Sequence, residues 1–317
     1  MEIKTIKVNK KNFFKSQFFF FLSICFVTIF ASSCKTTSLL LREKYTDPQV
    51  LTIQTLAPQE IIWKQHPSFS DTQAHSSLAL SESLEKDVIL YTEHIIKSEN
   101  IKWACVKVDL DKEWEIAVEP TAQTLGKRFY LQQFSKKYNT QVAVNTVPFS
   151  SNNNYYLPVS VVKSDGEILC PINSRYAVLA LQKIKNHDSF SWRANIFASQ
   201  KEDDLADYDY AFGGFFQILE NDTIFPFEKY KRSRTAVGIS HDGRFLYFLA
   251  TCGINQPTGR NGLNFEECAL ILQKLGCDKA MEFDGGHSSG LTINDENLIR
   301  PSLQRKVPAA FGLKLQQ

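Results

Sequence analysis

Residues 282–290 read Glu-Phe-Asp-Gly-Gly-His-Ser-Ser-Gly, and two kinds of chemistry compete for them. Gly286-His287-Ser288-Ser289-Gly290 fits the G-x-S-x-G pattern of a serine-hydrolase nucleophile turn. Glu282 and Asp284 form a carboxylate pair on one face of a strand, because strand period turns Met281 and Phe283 to the other. Two strand rises put their Cα atoms roughly 6.5–7 Å apart. Acids placed that close raise one another's pKa, which keeps a general acid protonated near neutrality. A second reading of Glu282 is a salt bridge with a neighbour such as Arg234. Gly285 and Gly286 let the backbone turn sharply and approach a ligand closely.

The serine pattern lacks its context. A nucleophile turn needs a helix after the serine, but the segment after Gly290 is LTINDENLI, an alternating strand pattern broken by an Asn-Asp turn. No histidine lies downstream of His287; the others are His66, His75, His94, His187 and His241. Because triads occur in several chain orders, an upstream histidine leaves a serine esterase as the third reading. The carboxylates are the better candidates.

The elements that hold them can be read outward from that turn. RFLYFLAT from Arg244 is a buried strand, followed by the glycine-rich loop CGINQPTGRNG. Asn264 then opens a helix, with Glu267 completing a capping box and Gly276 placed to end it. KAMEF is the next strand. This strand–helix–strand unit implies parallel strands and a right-handed crossover. The loop after Cys252 and the Asp284 turn then share one rim, where open sheets bind ligands. Upstream, VSVVKSDGEIL, FFQILENDTIF and TAVGISHDGRFLYFLAT carry strand runs around tight-turn residues. WACVKVDL and EIAVEP read as a strand pair around residues 111–113. The expected class is α+β: a mixed β-sheet core rich in hairpins, with one right-handed βαβ crossover near the C-terminus.

Composition allows such a core. The chain has 317 residues, 43% apolar and 22% charged. Its net charge of +2 is misleading, because the first 33 residues contain five lysines and one acid. Without them the balance is −2, which argues against nucleic acid as a partner. Those lysines precede FFFFLSICFVTIF (residues 18–30) and Ala31-Ser32-Ser33-Cys34. A basic start, a short apolar run and small residues make a signal peptide over 1–33. The run is shorter than the roughly 20 residues of a membrane-spanning helix, the alternative reading. Cys34 resembles a bacterial lipoprotein lipidation site. That predicts export, with a lipid anchor to the cell envelope, a tether with entry strands over 35–75, and one domain over 76–317. The remaining cysteines, 105, 170, 252, 268 and 277, are odd in number and contain no CxxC, so they form neither a zinc pattern nor a disulfide framework. Asp-bearing loops are too sparse for a calcium cage. No cofactor is expected beyond an incidental divalent cation.

Four blocks, in order, resemble the phosphodiester glycosidases related to the mannose-6-phosphate uncovering enzyme. They are AVNTVPF, AFGGFFQILENDTI, RTAVGISHDGRFLYFLAT, and GLNFEECALILQKLGCDKAMEFDGGHSSGLTIN closed by RKVPAAFGL. The resemblance covers about residues 100–317. It implies hydrolysis of a sugar-1-phosphodiester between the anomeric carbon and the phosphate, on an envelope or extracellular glycan. It further implies that Asn145, Gly213, Gly214, Arg234, Asp284, Gly285, Gly286, Ser288, Ser289 and Arg305 line the site, and Thr235 and His287, which stand beside them in the sequence, are expected to bind substrate with them. In that site Arg234 would hold the diester bidentately. Asn145 and glycine N–H groups would bind phosphate or sugar oxygens. Asp284, with Glu282, would act as acid, base or nucleophile. Several positions depart from the family. Cys252 replaces an acid common in relatives, Arg260 a serine, His287 a third glycine, and Glu282 an asparagine. A different substrate, or a non-catalytic carbohydrate- or phosphate-binding lipoprotein, is therefore the alternative.

Overall fold

The computed structural model describes residues 53–66, 89–227, 229–254 and 261–316. The signal peptide, Cys34, Arg260, most of the 35–75 tether and part of the loop after Cys252 lie outside them. Two units divide the chain, residues 1–51 and Thr52–Gln317; the second holds all the described residues.

Three antiparallel sheets share one core. The largest has seven strands in the order Ile89–Ile96, Ile101–Asp109, Phe245–Gly253, Arg234–Ile239, Lys279–Glu282, Gln217–Glu220, Thr223–Ile224. A second runs Ser189–Phe197, Val178–Asn186, Tyr210–Gly213, Val162–Ser164, Glu167–Cys170, and a third Glu296–Ile299, Leu291–Ile293, Val142–Asn145, Ala310–Leu315, Trp114–Glu119. One aromatic ring ties them together. Phe311 of the third sheet stacks on Phe212 of the second at 4.4 Å and meets Phe248 of the first at 5.3 Å.

The turn chemistry explains the hairpins. Asp165-Gly166, Asn221-Asp222 and Asn294-Asp295 each have positive φ at both residues, the conformation whose twist matches paired strands. The three expected hairpins pair as read. The pair around residues 111–113 does not. Ile101–Asp109 stays in the seven-stranded sheet, whereas Trp114–Glu119 crosses to the third. Alternation alone cannot tell a hairpin from a crossing between sheets.

The crossover has a strand inserted in it. Phe245–Gly253 and Lys279–Glu282 are both antiparallel to Arg234–Ile239 and lie on either side of it, so they run parallel without touching. The Arg234 strand arrives first and pairs with Phe245–Gly253 as a hairpin, leaving its other edge open. The helix Phe265–Lys274 carries the chain over to that edge. Asn264 and Glu267 exchange the reciprocal capping hydrogen bonds, both 2.8 Å, and Gly276 has φ +98. The helix packs Cys268, Ala269, Ile271 and Leu272 on the sheet. The start of the Arg234 strand and the ends of its two neighbours therefore form one rim.

Candidate active site

The site grows from the end of the Lys279–Glu282 strand. Met281 and Phe283 are fully buried in the shared core, so Glu282 turns to the opposite face, beneath the Phe265–Lys274 helix. There it is sealed. Neither carboxylate oxygen has a hydrogen-bond partner; the Cys268 thiol only approaches closely enough to favour the charged form. Burial pushes the Glu282 carboxyl up to about 7, with the Arg234 charge pulling the other way.

Asp284 lies past the strand end. Its N–H donates to the Thr146 carbonyl at 2.7 Å, and Arg305 Nη2 donates to its Oδ2 at 3.1 Å. The Arg305 side chain is 46% exposed and that of Asp284 9%, so Arg305 forms the surface beside a carboxylate that is nearly covered. Burial raises the Asp284 pKa above its ordinary value, opposed by the Ser288 hydroxyl and by Arg305. Neither acid perturbs the other. The expected mutual repulsion is thus corrected: burial raises each one separately, because the turn after Phe283 sends the two side chains into different surroundings.

Ser288 is completely buried, and its Oγ accepts from Arg305 Nε at 2.6 Å. A single 3-10 turn, Gly286–Ser288, leads into strand Leu291–Ile293, so the helix required by a nucleophile turn is missing here. Ser288 holds Arg305 against Asp284. The His287 carbonyl accepts from the Arg305 N–H at 2.8 Å, which fixes the same arginine a second time. Ser289 Oγ is buried with no partner.

Asn145 has its polar groups engaged within the protein. Its Nδ2 donates to the Asp284 carbonyl at 2.7 Å, and its Oδ1 accepts from Thr235 Oγ1 at 2.8 Å and from Gly290 N–H at 3.1 Å. The residue is 1% exposed. Asn145 and Thr235 therefore act as a latch that joins three elements under the Asp284 turn. Gly213 and Gly214 also serve packing. A Cβ on Gly214 would lie 2.3 Å from the Glu282 carbonyl, and one on Gly213 1.9 Å from Ser160 Oγ. Gly286 is different: φ is +64 and a Cβ there would meet open space, so only its conformation calls for glycine.

Arg234 spends its donors on the backbone. Nε donates to Leu263 O at 3.1 Å, Nη2 donates to Tyr230 O at 2.7 Å, and the guanidinium lies 4.0 Å over the Phe265 ring. It makes no contact pair with Glu282. Nη1 points towards the turn, 3.9 Å from where a Gly285 Cβ would sit. Two of its five N–H donors are used on the backbone, so an end-on grip on a diester would fall to Nη1 and the remaining N–H of Nη2. Cys252 borders a cavity of about 650 Å³ with Lys102, Glu296, Asn297 and Arg300. Burial raises its thiol pKa, so it does not supply the charge of an acid.

Among the described residues no group of three or more His, Cys, Asp or Glu is placed to hold a metal. No described helix is long and apolar enough to cross a membrane.

Residues 138–314 match the phosphodiester glycosidase family, more than half of the chain. The chain belongs to that family. Within this phosphodiester glycosidase domain lie Asn145, both glycine pairs, Arg234, Asp284, the two serines and Arg305. No curated protein matches the chain. Several solved structures share its fold. A hypothetical protein from Synechocystis has TM-score 0.56 and 15% identity, covering 72% of this chain and 62% of that one; the chain thus spans less than two thirds of that relative. The zebrafish N-acetylglucosamine-1-phosphodiester alpha-N-acetylglucosaminidase catalytic domain, auto-inhibited by its pro-peptide, has TM-score 0.58 and 17% identity, covering 73% and 84%.

Three features of the site had no clear signal in sequence. They are the latch function of Asn145, the double hold on Arg305, and Phe149, whose ring lies 4.6 Å from the Arg305 guanidinium. Each depends on contacts between residues far apart in the chain.

Proposed function

We propose that this phosphodiester glycosidase cleaves a sugar-1-phosphodiester at Asp284, with water entering at the anomeric carbon and a phosphate monoester leaving. The observation that carries the reading is one carboxylate at the rim, its side chain 9% exposed and held by the half-exposed Arg305, on an Asp-Gly-Gly turn within the family-matched residues. The leaving group explains why one carboxylate can suffice. A phosphate monoester has its second pKa near ~6, so it departs without a strong general acid. Asp284 is then needed on the other side of the reaction, to take a proton from water or to attack the anomeric carbon itself. Arg305 offsets the charge of the diester as it approaches. Glu282, sealed beneath the helix, supports the strand without touching substrate in this conformation.

The lysine-rich start, the apolar run and Cys34 support export and lipid anchoring to the envelope, where glycan phosphodiesters would be met. Labelling with a fatty-acid analogue should mark the wild type and spare Cys34→Ser. The enzymatic reading is tested by free-sugar release from a panel of sugar-1-phosphate diesters. Tight binding of several diesters with no sugar released would instead favour the non-catalytic binding protein.

A further inference from the structure

Three segments near the Asp284 turn lack acids, and two of them carry cations. Residues 120–130 contain Lys127 and Arg128, residues 301–308 contain Arg305 and Lys306, residues 146–160 contain no charge, and none of the three contains Asp or Glu. The fold sews them together. Phe129 and Val307 exchange both backbone hydrogen bonds, at 3.0 and 2.8 Å, and Tyr156 N–H donates to Gly126 O at 3.4 Å. The third segment includes the hairpin Phe149–Asn152 and Tyr155–Pro158, which presents aromatic rings between the cations. Arg128 lies 3.4 Å from the Tyr156 ring centroid, Arg305 4.6 Å from Phe149, and Lys306 5.4 Å from Tyr130. Tyr155 is 59% exposed and Tyr130 41%.

This surface is ordered rather than incidental. Gly126, at φ +85, lacks the Cβ that would sit 2.5 Å from the Tyr155 ring, so the exposed ring rests on backbone. Arg305 apart, which pairs with Asp284, none of these cations is held by an ion pair among the described residues. Beyond residue 33 the chain has a net charge of −2, so a continuous cationic face runs against the overall balance. Cations stacked on aromatic rings keep their charge and are held in place. Exposed rings offer broad apolar faces to the C–H side of a sugar, and ammonium and guanidinium groups bind phosphate.

We infer that this face binds an anionic glycan, with sugar rings on Tyr155 and its aromatic neighbours and phosphates at Lys127, Arg128 and Lys306. Resting on the phosphodiester glycosidase reading, the substrate is then a repeating sugar–phosphate chain that extends from Asp284 along the hairpin. A neutral oligosaccharide lacks the phosphates this face would hold, and a single diester offers only one of them.

The test uses a synthetic hexamer of glucose units joined by 1-phosphodiesters, with neutral maltohexaose and phosphatidylglycerol vesicles as comparisons. Binding is measured on Asp284→Asn protein, so that turnover does not intervene. The hexamer should bind well and maltohexaose weakly, with affinity falling as salt is raised. Lys127→Ala/Lys306→Ala should weaken the hexamer by at least about tenfold, and Tyr155→Ala by several fold, with melting temperature unchanged. In active protein the same substitutions should raise KM for the hexamer and leave turnover of a single methyl diester within about twofold. Equal hexamer affinity in parent and variants would overturn the inference. So would equal affinity for maltohexaose, or patch-dependent binding of the vesicles but not of the hexamer. If the parent releases no sugar yet shows patch-dependent hexamer binding, the inference stands and the enzymatic reading falls.

Discussion

Glu282 and Asp284 are two residues apart and carry the same charge, yet their surroundings share almost nothing. Glu282 sits at the last position of a central strand, under a helix, with no hydrogen bond to either oxygen. Asp284 sits two residues beyond the strand end, on a turn latched by Asn145, with Ser288 and the half-exposed Arg305 beside it. The difference shows that strand alternation assigns faces only while the strand lasts. Where the sheet ends, hydrogen bonds to the turn decide which acid meets solvent. Desolvation acts on both acids, but only Asp284 has partners that favour its ionised form by normal hydrogen bonds.

The largest effect expected from breaking this contrast is at Asp284. Asp284→Asn should lower turnover by at least about 10²-fold, the scale of a lost acid–base or nucleophilic group, with an unchanged melting curve. Wild-type turnover by the folded variant would move the chemistry elsewhere.

Glu282 should answer in stability and its pH dependence. Its folded-state pKa is raised to about 7 from a reference value of 4.5. The folded protein therefore holds more protons than the unfolded chain between those values, and stability falls as pH rises through that window. The contribution is on the order of 3–4 kcal/mol, at ~1.4 kcal/mol per unit. Glu282→Gln should flatten the unfolding free energy between pH 4.5 and about 7, whatever its absolute level. An unaltered slope would mean that the carboxylate is less deeply desolvated than its burial indicates.

Removing the latch should affect both regions at once. Asn145→Ala leaves the Thr235 hydroxyl and the Asp284 carbonyl without their shared partner. Orphaned buried groups of this kind cost about 1–3 kcal/mol in stability, and turnover should fall as the Asp284 turn loosens. A loss of turnover at unchanged stability would instead assign Asn145 to the substrate.

The smallest effect belongs to Ser288. Ser288→Ala should cost roughly tenfold in turnover, about the worth of one hydrogen bond to a charged group, because Arg305 keeps its bond to Asp284 and its backbone anchor at His287. Complete inactivation together with covalent capture of Ser288 by a fluorophosphonate would restore the nucleophilic serine.

Much of the frame around this contrast was legible in residue order. The Asn264–Glu267 cap, the Gly276 stop, the Asn-Asp and Asp-Gly hairpins and the apolar strand of Met281 and Phe283 all rest on interactions within a few residues. Their signals therefore survive in one dimension. The family blocks likewise named Asn145, Ser288 and Arg305, which lie against the Asp284 turn.

Tertiary structure decided what each of those residues does. Arg234 reads as a diester clamp by type, but the carbonyls of Tyr230 and Leu263 occupy two of its donor positions, and no local pattern encodes that. Asn145 reads as a ligand for substrate oxygens, yet it faces the underside of a turn 139 residues away in the chain. The strand placed between the two parallel strands of the crossover, and the cationic face assembled from three acid-free segments, depend on pairings between segments far apart in the chain. Residue types and spacing determined the local elements and the chemistry available to the protein. Only the long-range packing determined which carboxylate water can reach, because burial and hydrogen-bond partners belong to the folded neighbourhood and not to the residue.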